Sequence, residues 1–237
     1  MRKKTFSIID SVAEGFDLFF GNFFTFFSAY LASILLWYVG AILTRMYIRL
    51  GILFLPDFQS YETYVMVTKF LQFVLTLPLV FLVTGLLLGI KQITFDIAYD
   101  GKSRFSRLFS CFHLVHKSWL TLIATVFLIS SLFVGCNVFA FFSLGFFVSI
   151  KDIPPLSTVL FFPLMTFLMV KVMFSNEFIV DKKIGPSSLI ESFKLTRGNW
   201  WRTFGLAFVS QLAVLTVLGL FVLPMIWTVA YCNLREE

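Results

Sequence analysis

Charge is scarce in this chain. Asp, Glu, Lys and Arg make up 14% of its 237 residues, where a soluble domain carries about a quarter. So few charges cannot clothe a globular surface in water, which excludes an ordinary soluble domain. Histidine and cysteine are scarcer still, at two and three copies. Cys111, Cys136 and Cys232 are too widely spaced for a disulfide framework, and no Cys-x-x-Cys pair is present. His113 and His116 share one side of a helix near Cys111, but zinc needs three or four ligands, so neither metal nor cofactor is expected. Catalytic signatures are missing: there is no His-Glu-x-x-His, no phosphate-cradling Gly-x-x-x-x-Gly-Lys-Ser/Thr and no Gly-x-Ser-x-Gly. The spans also lack activated nucleophiles and paired carboxylates, so no enzymatic activity is expected. Apolar and polar residues do not alternate along the runs, which argues against a barrel. Long polar intervals are absent too. The longest, about Lys91 to Lys117, has room for one or two short helices.

What is present is apolar. Hydrophobic residues make up 59% of the chain and the mean hydropathy is +0.90, the composition of an integral membrane protein. A helix needs about 20 apolar residues to cross about 30 Å of hydrocarbon. Candidate spans lie at about 23–44, 66–90, 118–138, 156–176, 200–219 and 220–234. The last two share one run from Thr203 to Tyr231, about 43 Å as a continuous helix. That is too long for one upright span and too short for two full ones. Gly219 offers an opening and Pro224 a kink, and a short final pair is favoured over one tilted helix.

A repeated signature introduces three of the runs: Phe16-Asp-Leu-Phe-Phe-Gly-Asn-Phe-Phe, Phe112-His-Leu-Val-His-Lys-Ser-Trp-Leu and Phe193-Lys-Leu-Thr-Arg-Gly-Asn-Trp-Trp. After each come a first span, a glycine (Gly40, Gly135, Gly219) and a second span with a proline (Pro78, Pro163, Pro224). The expected fold is all-α: a polytopic helical membrane protein of about six spans. It forms a single domain over 1–237, built as three repeated hairpins (about 5–100, 101–183 and 184–237) with amphipathic interfacial lead-in helices.

Cations fall mainly on one side of these spans. Arg2, Lys3 and Lys4, then Lys91, Lys102, Arg104, Arg107 and Lys117, then Lys182, Lys183, Lys194, Arg197 and Arg202 occupy alternate connections. Arg45, Arg49, Lys69 and Lys151 lie opposite. By the positive-inside rule the N-terminus and the long polar connections are cytoplasmic, and with six spans the C-terminus is too. The N-terminal Met-Arg-Lys-Lys is followed by Asp10, Glu14 and Asp17 rather than an apolar core, so no cleaved signal peptide is expected. Trp119 and Trp200 hold the same repeat position beside Lys117 and Arg197, as interfacial anchors. In the first lead-in, Ile9, Val12, Phe16, Phe19 and Phe23 line one face, expected to lie on the membrane surface. Its acidic opposite face is expected to meet the basic lead-ins, Asp17 pairing with Lys194.

Polar residues inside spans are functional candidates. Lys171 stands near the cytoplasmic end of the fourth span, from where it can snorkel. Asn137 and Gln211 are isolated amides suited to interhelical hydrogen bonds, and Gly85-Leu-Leu-Leu-Gly89 permits close approach. Together Asn137, Lys171 and Gln211 mark a possible intramembrane path.

The amphipathic lead-in, Phe-x-Leu, the Gly-Asn-Trp turn, a proline-bearing span and the ending Ala230-Tyr231-Cys-Asn-Leu-Arg235 resemble a bacterial family. It is a poorly characterised six-helix group related to the membrane domain of glycerophosphoryl diester phosphodiesterases. The clearest match runs over Glu177 to Arg202 and Tyr231 to Arg235. The resemblance implies a multi-pass protein of the bacterial inner membrane with no assigned reaction. The phosphodiesterase catalytic domain has no counterpart here, so that activity is not implied.

The function expected is the organisation of lipid or of a partner protein at the cytoplasmic membrane. Lys102, Arg104, Arg107, Lys117, Trp119, Arg197, Trp200 and Arg202 carry the contact. The expected partners are anionic membrane lipids, with a membrane protein or a second copy of the chain as further candidates. The net charge of +6 serves topology and lipid contact rather than nucleic acid. The alternative is a transporter or lipid-translocating permease with its path between the hairpins.

Overall fold

A computed structural model describes residues 7–53, 61–144, 153–214 and 216–235. Among them there is no strand. The helices are α1 (Ile8–Gly21), α2 (Phe23–Leu53), α3 (Tyr61–Asp100), α4 (Val115–Leu144), α5 (Ile153–Val172), α6 (Ser175–Lys182), α7 (Ser187–Leu195), α8 (Trp200–Val214) and α9 (Val217–Arg235). Two 3-10 turns, Phe105–Phe109 and Phe112–Leu114, stand between α3 and α4. Four stretches are long and apolar enough to cross a membrane: Phe23–Gly51, Glu62–Asp100, Phe105–Phe139 and Phe161–Lys182. They cover the first four expected spans. At 15 and 19 residues, α8 and α9 measure about 22 and 28 Å.

Hydroxyls and amides within the apolar helices bond back to their own backbone. Ser33 Oγ donates to the Ala29 carbonyl, Thr84 Oγ1 to Val80, Thr125 Oγ1 to Thr121, Ser131 Oγ to Phe127 and Thr166 Oγ1 to Phe162. Asn137 Nδ2 donates to Phe133 in the same way. In hydrocarbon a polar group without a bond is costly, and the i−4 carbonyl is the nearest acceptor a helix offers.

The final apolar run divides into two helices at Thr216, three residues before Gly219, where an opening was expected. The Thr216 hydroxyl accepts from the Gly219 N–H at 3.0 Å and lies 2.8 Å from the Ala213 carbonyl, to which it donates. This caps the start of α9. Gly219 is required there because a Cβ would stand 1.8 Å from the Ala213 carbonyl oxygen. Pro224 lies inside α9, as Pro78 lies inside α3 and Pro163 inside α5.

The chain forms two compact units, Phe20–Val115 and Met1–Phe19 with His116–Glu237. In the first, α3 has 40 residues, about 60 Å, and outruns the hydrocarbon thickness of about 30 Å. Its last turns therefore continue as one helix into the polar interval, where one or two separate short helices had room. The 3-10 turns dock on that extension. Gly89 admits the Leu108 carbonyl so closely that a Cβ would be 1.8 Å away, and a Cβ on Gly85 would stand 2.7 Å from the Phe112 ring. The Gly-x-x-x-Gly thus serves a turn of its own chain. Ile93, Ile97, Leu108, Leu114 and Val115 are fully buried around it.

In the second unit, α1 turns a face of small residues inward. Ser11, Gly15 and Phe19 are buried, and a Cβ on Gly15 would meet the Ile226 backbone at 2.9 Å. Asn233 Nδ2 donates to Ser11 Oγ at 3.3 Å. Ile9, expected on the membrane-facing stripe, is 79% exposed. The expected Asp17–Lys194 pair does not form, because Lys194 bonds Glu191 one turn back at 2.9 Å. The closer partner on the same helix wins, since reaching it costs less side-chain entropy.

Gly89→Ala should dislodge the 3-10 turns. Cys111, now 2% exposed, should then react with maleimide about tenfold faster than in the wild type, by local opening. Gly135→Ala, with nothing within 4 Å of its Cβ, should leave the rate unchanged.

Candidate functional site

Three of the expected lipid-contact residues share one cleft in the Phe20–Val115 unit. Lys102, Arg104 and Arg107 line it with Asp96, Asp100, Ser103, Ser106 and Ser110, around a volume of about 820 Å³. The mount is rigid. Asp96 accepts from Gln92 Nε2 at 2.8 Å and from Ser103 Oγ at 3.1 Å, and its carboxylate meets Arg107 Nε at 3.2 Å. With one carboxylate saturated in this way, Lys102 and Arg104 stay exposed at the rim. Asn22 Nδ2 ties the turn at Gly101 by donating to its carbonyl at 3.3 Å, and Gly101 needs its positive φ of 73° to reverse the chain there. Beside the cleft Phe105 and Phe109 pack edge to face at 6.2 Å yet stay 41% and 48% exposed. Cations and serine hydroxyls next to exposed aromatic rings suit a phosphate-bearing amphiphile.

The remaining candidates belong to the other unit. Lys117 Nζ donates to the Lys183 carbonyl, where α6 ends in a left-handed residue (φ 54°). It therefore acts as a cation at a helix C-terminus. Trp119 is half-buried on α4, and Arg197 and Arg202 are exposed. Trp200 stacks on Phe167 at 5.7 Å and on Phe204 at 5.3 Å. Lys171 is 9% exposed, with its ammonium 5.5 Å from the centre of the same Phe167 ring. Its position in the last turn of α5 is fixed by Ser192, whose hydroxyl donates to the Lys171 carbonyl at 2.6 Å and accepts from the Phe174 N–H at 3.2 Å. One serine of α7 thereby bridges the break between α5 and α6.

The path residues do not converge. Phe133 of α4 meets Phe161 of α5 at 5.2 Å. From that level Lys171 lies ten residues along α5 and Asn137 four along α4 the other way, a separation of about 20 Å for antiparallel helices. Gln211 belongs to α8, but its side chain lies outside the described residues.

Several residues that matter here carried no sequence signal of their own. Asp181 accepts from Tyr231 Oη at 2.7 Å and from Arg235 Nη1, and the buried Tyr231 ring packs edge-on against Phe178 at 5.0 Å. The two segments that carry the family resemblance thus meet in one side-chain network. Glu177 is fully buried in the first turn of α6. Asp96, Ser192, Phe105 and Phe109 were equally unmarked, because their importance lies in what they touch. Among the described residues no group of three His, Cys, Asp or Glu could hold a metal. No family model, no curated protein and no solved structure matches the chain.

Tyr231→Phe should lower stability in detergent by about 1–2 kcal/mol, the worth of a hydrogen bond to a carboxylate, read as a fall in unfolding midpoint. The Lys194 hydrogen bond holds the exposed Glu191 carboxyl below its usual range, against a small opposing effect of burial. The contact is therefore intact above the ordinary carboxylate value and fades only as pH falls through the lowered one. A carbon-13 titration of Glu191 should show a midpoint below that of an ordinary glutamate, moving up in Lys194→Ala.

Proposed function

We propose that this chain is a multi-pass protein of the bacterial cytoplasmic membrane that gathers anionic lipid headgroups on the cytoplasmic side. In this reading it is not an enzyme. Six spans run as three hairpins with the N-terminus inside, in the manner of the six-helix family it resembles. Helices α3, α5 and α9, the second members of the three expected hairpins, each hold a proline in their interior, which supports the tripled hairpin.

The observation that carries the lipid reading is the cleft of Lys102, Arg104 and Arg107 beside the exposed rings of Phe105 and Phe109. Basic side chains near a membrane surface contribute about 1 kcal/mol each toward acidic lipids. The rings add apolar burial at headgroup depth. A transport path is the weaker reading, since Asn137 and Lys171 stand about 20 Å apart along their helices.

The test is the acidic lipid that copurifies with the chain. Lys102→Gln with Arg104→Gln should lower the ratio of acidic to zwitterionic phospholipid about threefold to tenfold, and Phe105→Ser with Phe109→Ser should lower total bound lipid. An unchanged ratio in the first double variant overturns the proposal.

A further inference from the structure

We infer that α5 and α8 form a second lipid site, one that takes the phosphate of a single anionic phospholipid between Lys171, Arg197 and Trp200. It rests on the reading that these helices lie in lipid, and it is separate from the cleft at Arg104.

Three donors gather here without an acceptor. Lys171 is 9% exposed, and its ammonium lies over the face of Phe167, 5.5 Å from the ring centre. Arg197 lies three residues ahead of Trp200, the first residue of α8, so a second cation stands at the end of the helix that carries the indole, and its charge bears on Lys171. Among the described residues neither makes an ion pair with a carboxylate. The Trp200 indole N–H is buried with no partner, although buried indoles ordinarily find one. Two like charges and an orphaned donor are each unfavourable when left alone. An anion with several acceptor oxygens relieves all three at once.

The surroundings favour a lipid over a free ion. Phe167, Met169 and Leu164 of α5 are each 46% exposed, and Trp201 and Phe208 of α8 are 75% and 58% exposed. These side chains offer acyl chains an apolar track that leads from the cation pair. Lys171 stands in the last turn of α5, at the depth where a snorkelling ammonium reaches headgroups. Phe167 serves both sides: its ring carries the ammonium on its face and stacks with the Trp200 indole, and so brings the donors together.

The full chain in detergent is titrated with phosphatidylglycerol and followed by native mass spectrometry. Lys171→Met and Arg197→Gln should each weaken one adduct about tenfold. Trp200→Phe keeps the ring stack and removes only the N–H, and should weaken the same adduct about threefold. Arg104→Gln should leave that adduct intact, which separates this site from the cleft. Wild-type affinity in all three variants, Trp200→Phe included, overturns the inference. Displacement of the adduct by inorganic phosphate at the same concentration overturns the lipid as occupant. Loss in the Lys171, Arg197 and Trp200 variants with none in the Arg104 variant supports it, even if the cleft itself proves not to select acidic lipid.

Discussion

Most hydroxyls within the apolar helices find their bond on the same helix, and much of this structure follows from that; the Trp227 indole, which donates to Ser210 Oγ from α9 to α8, is an exception. The long runs become helices because a helix alone satisfies its own backbone in hydrocarbon. Serine and threonine are tolerated within them because each hydroxyl folds onto the carbonyl one turn back. Other side-chain bonds between elements are thereby displaced to the helix ends, where Ser192 bridges α5 and α6 and Asp181 receives Tyr231 and Arg235.

Glycine sets where those ends meet. Gly89 lets the Leu108 carbonyl touch α3, Gly15 lets α1 touch Ile226, and Gly219 lets α9 start against the carbonyl that ends α8. Each contact is backbone to backbone or nearly so, and each excludes a methyl group. Such contacts hold short polar turns at a fixed height on long helices. The rim cations of the cleft therefore sit on a braced support of helix, glycine contact and saturated Asp96, rather than on a free loop. Preorganisation of this kind spares a binding surface the entropic cost of ordering a loop.

The candidate residues were legible as residue types and illegible as groups. Lys102, Arg104 and Arg107 stand close in sequence and fall in one cleft. Lys171, Arg197 and Trp200 are spread over three elements and read as unrelated: a snorkelling lysine, a topology cation and an anchor. Lys117 read as a lipid contact and caps a helix, because the Lys183 carbonyl lies within its reach. Thr216 divides the last run just ahead of Gly219, because its hydroxyl caps the start of α9 by accepting from the Gly219 N–H. The first lead-in read as a stripe of large apolar residues; of these Phe19 is buried, beside Ser11 and Gly15, which the stripe did not include. Periodicity reports where bulk lies and cannot report how near a neighbouring backbone will come.

Composition and run length alone dictate that this chain is helical and that four of its helices are long and apolar enough to cross a membrane, because both properties are sums along the chain. Partnership is not such a sum. Whether a lysine caps, snorkels or binds depends on which carbonyl, ring or cation lies within a few ångströms. Those distances arise only when helices from distant parts of the sequence pack.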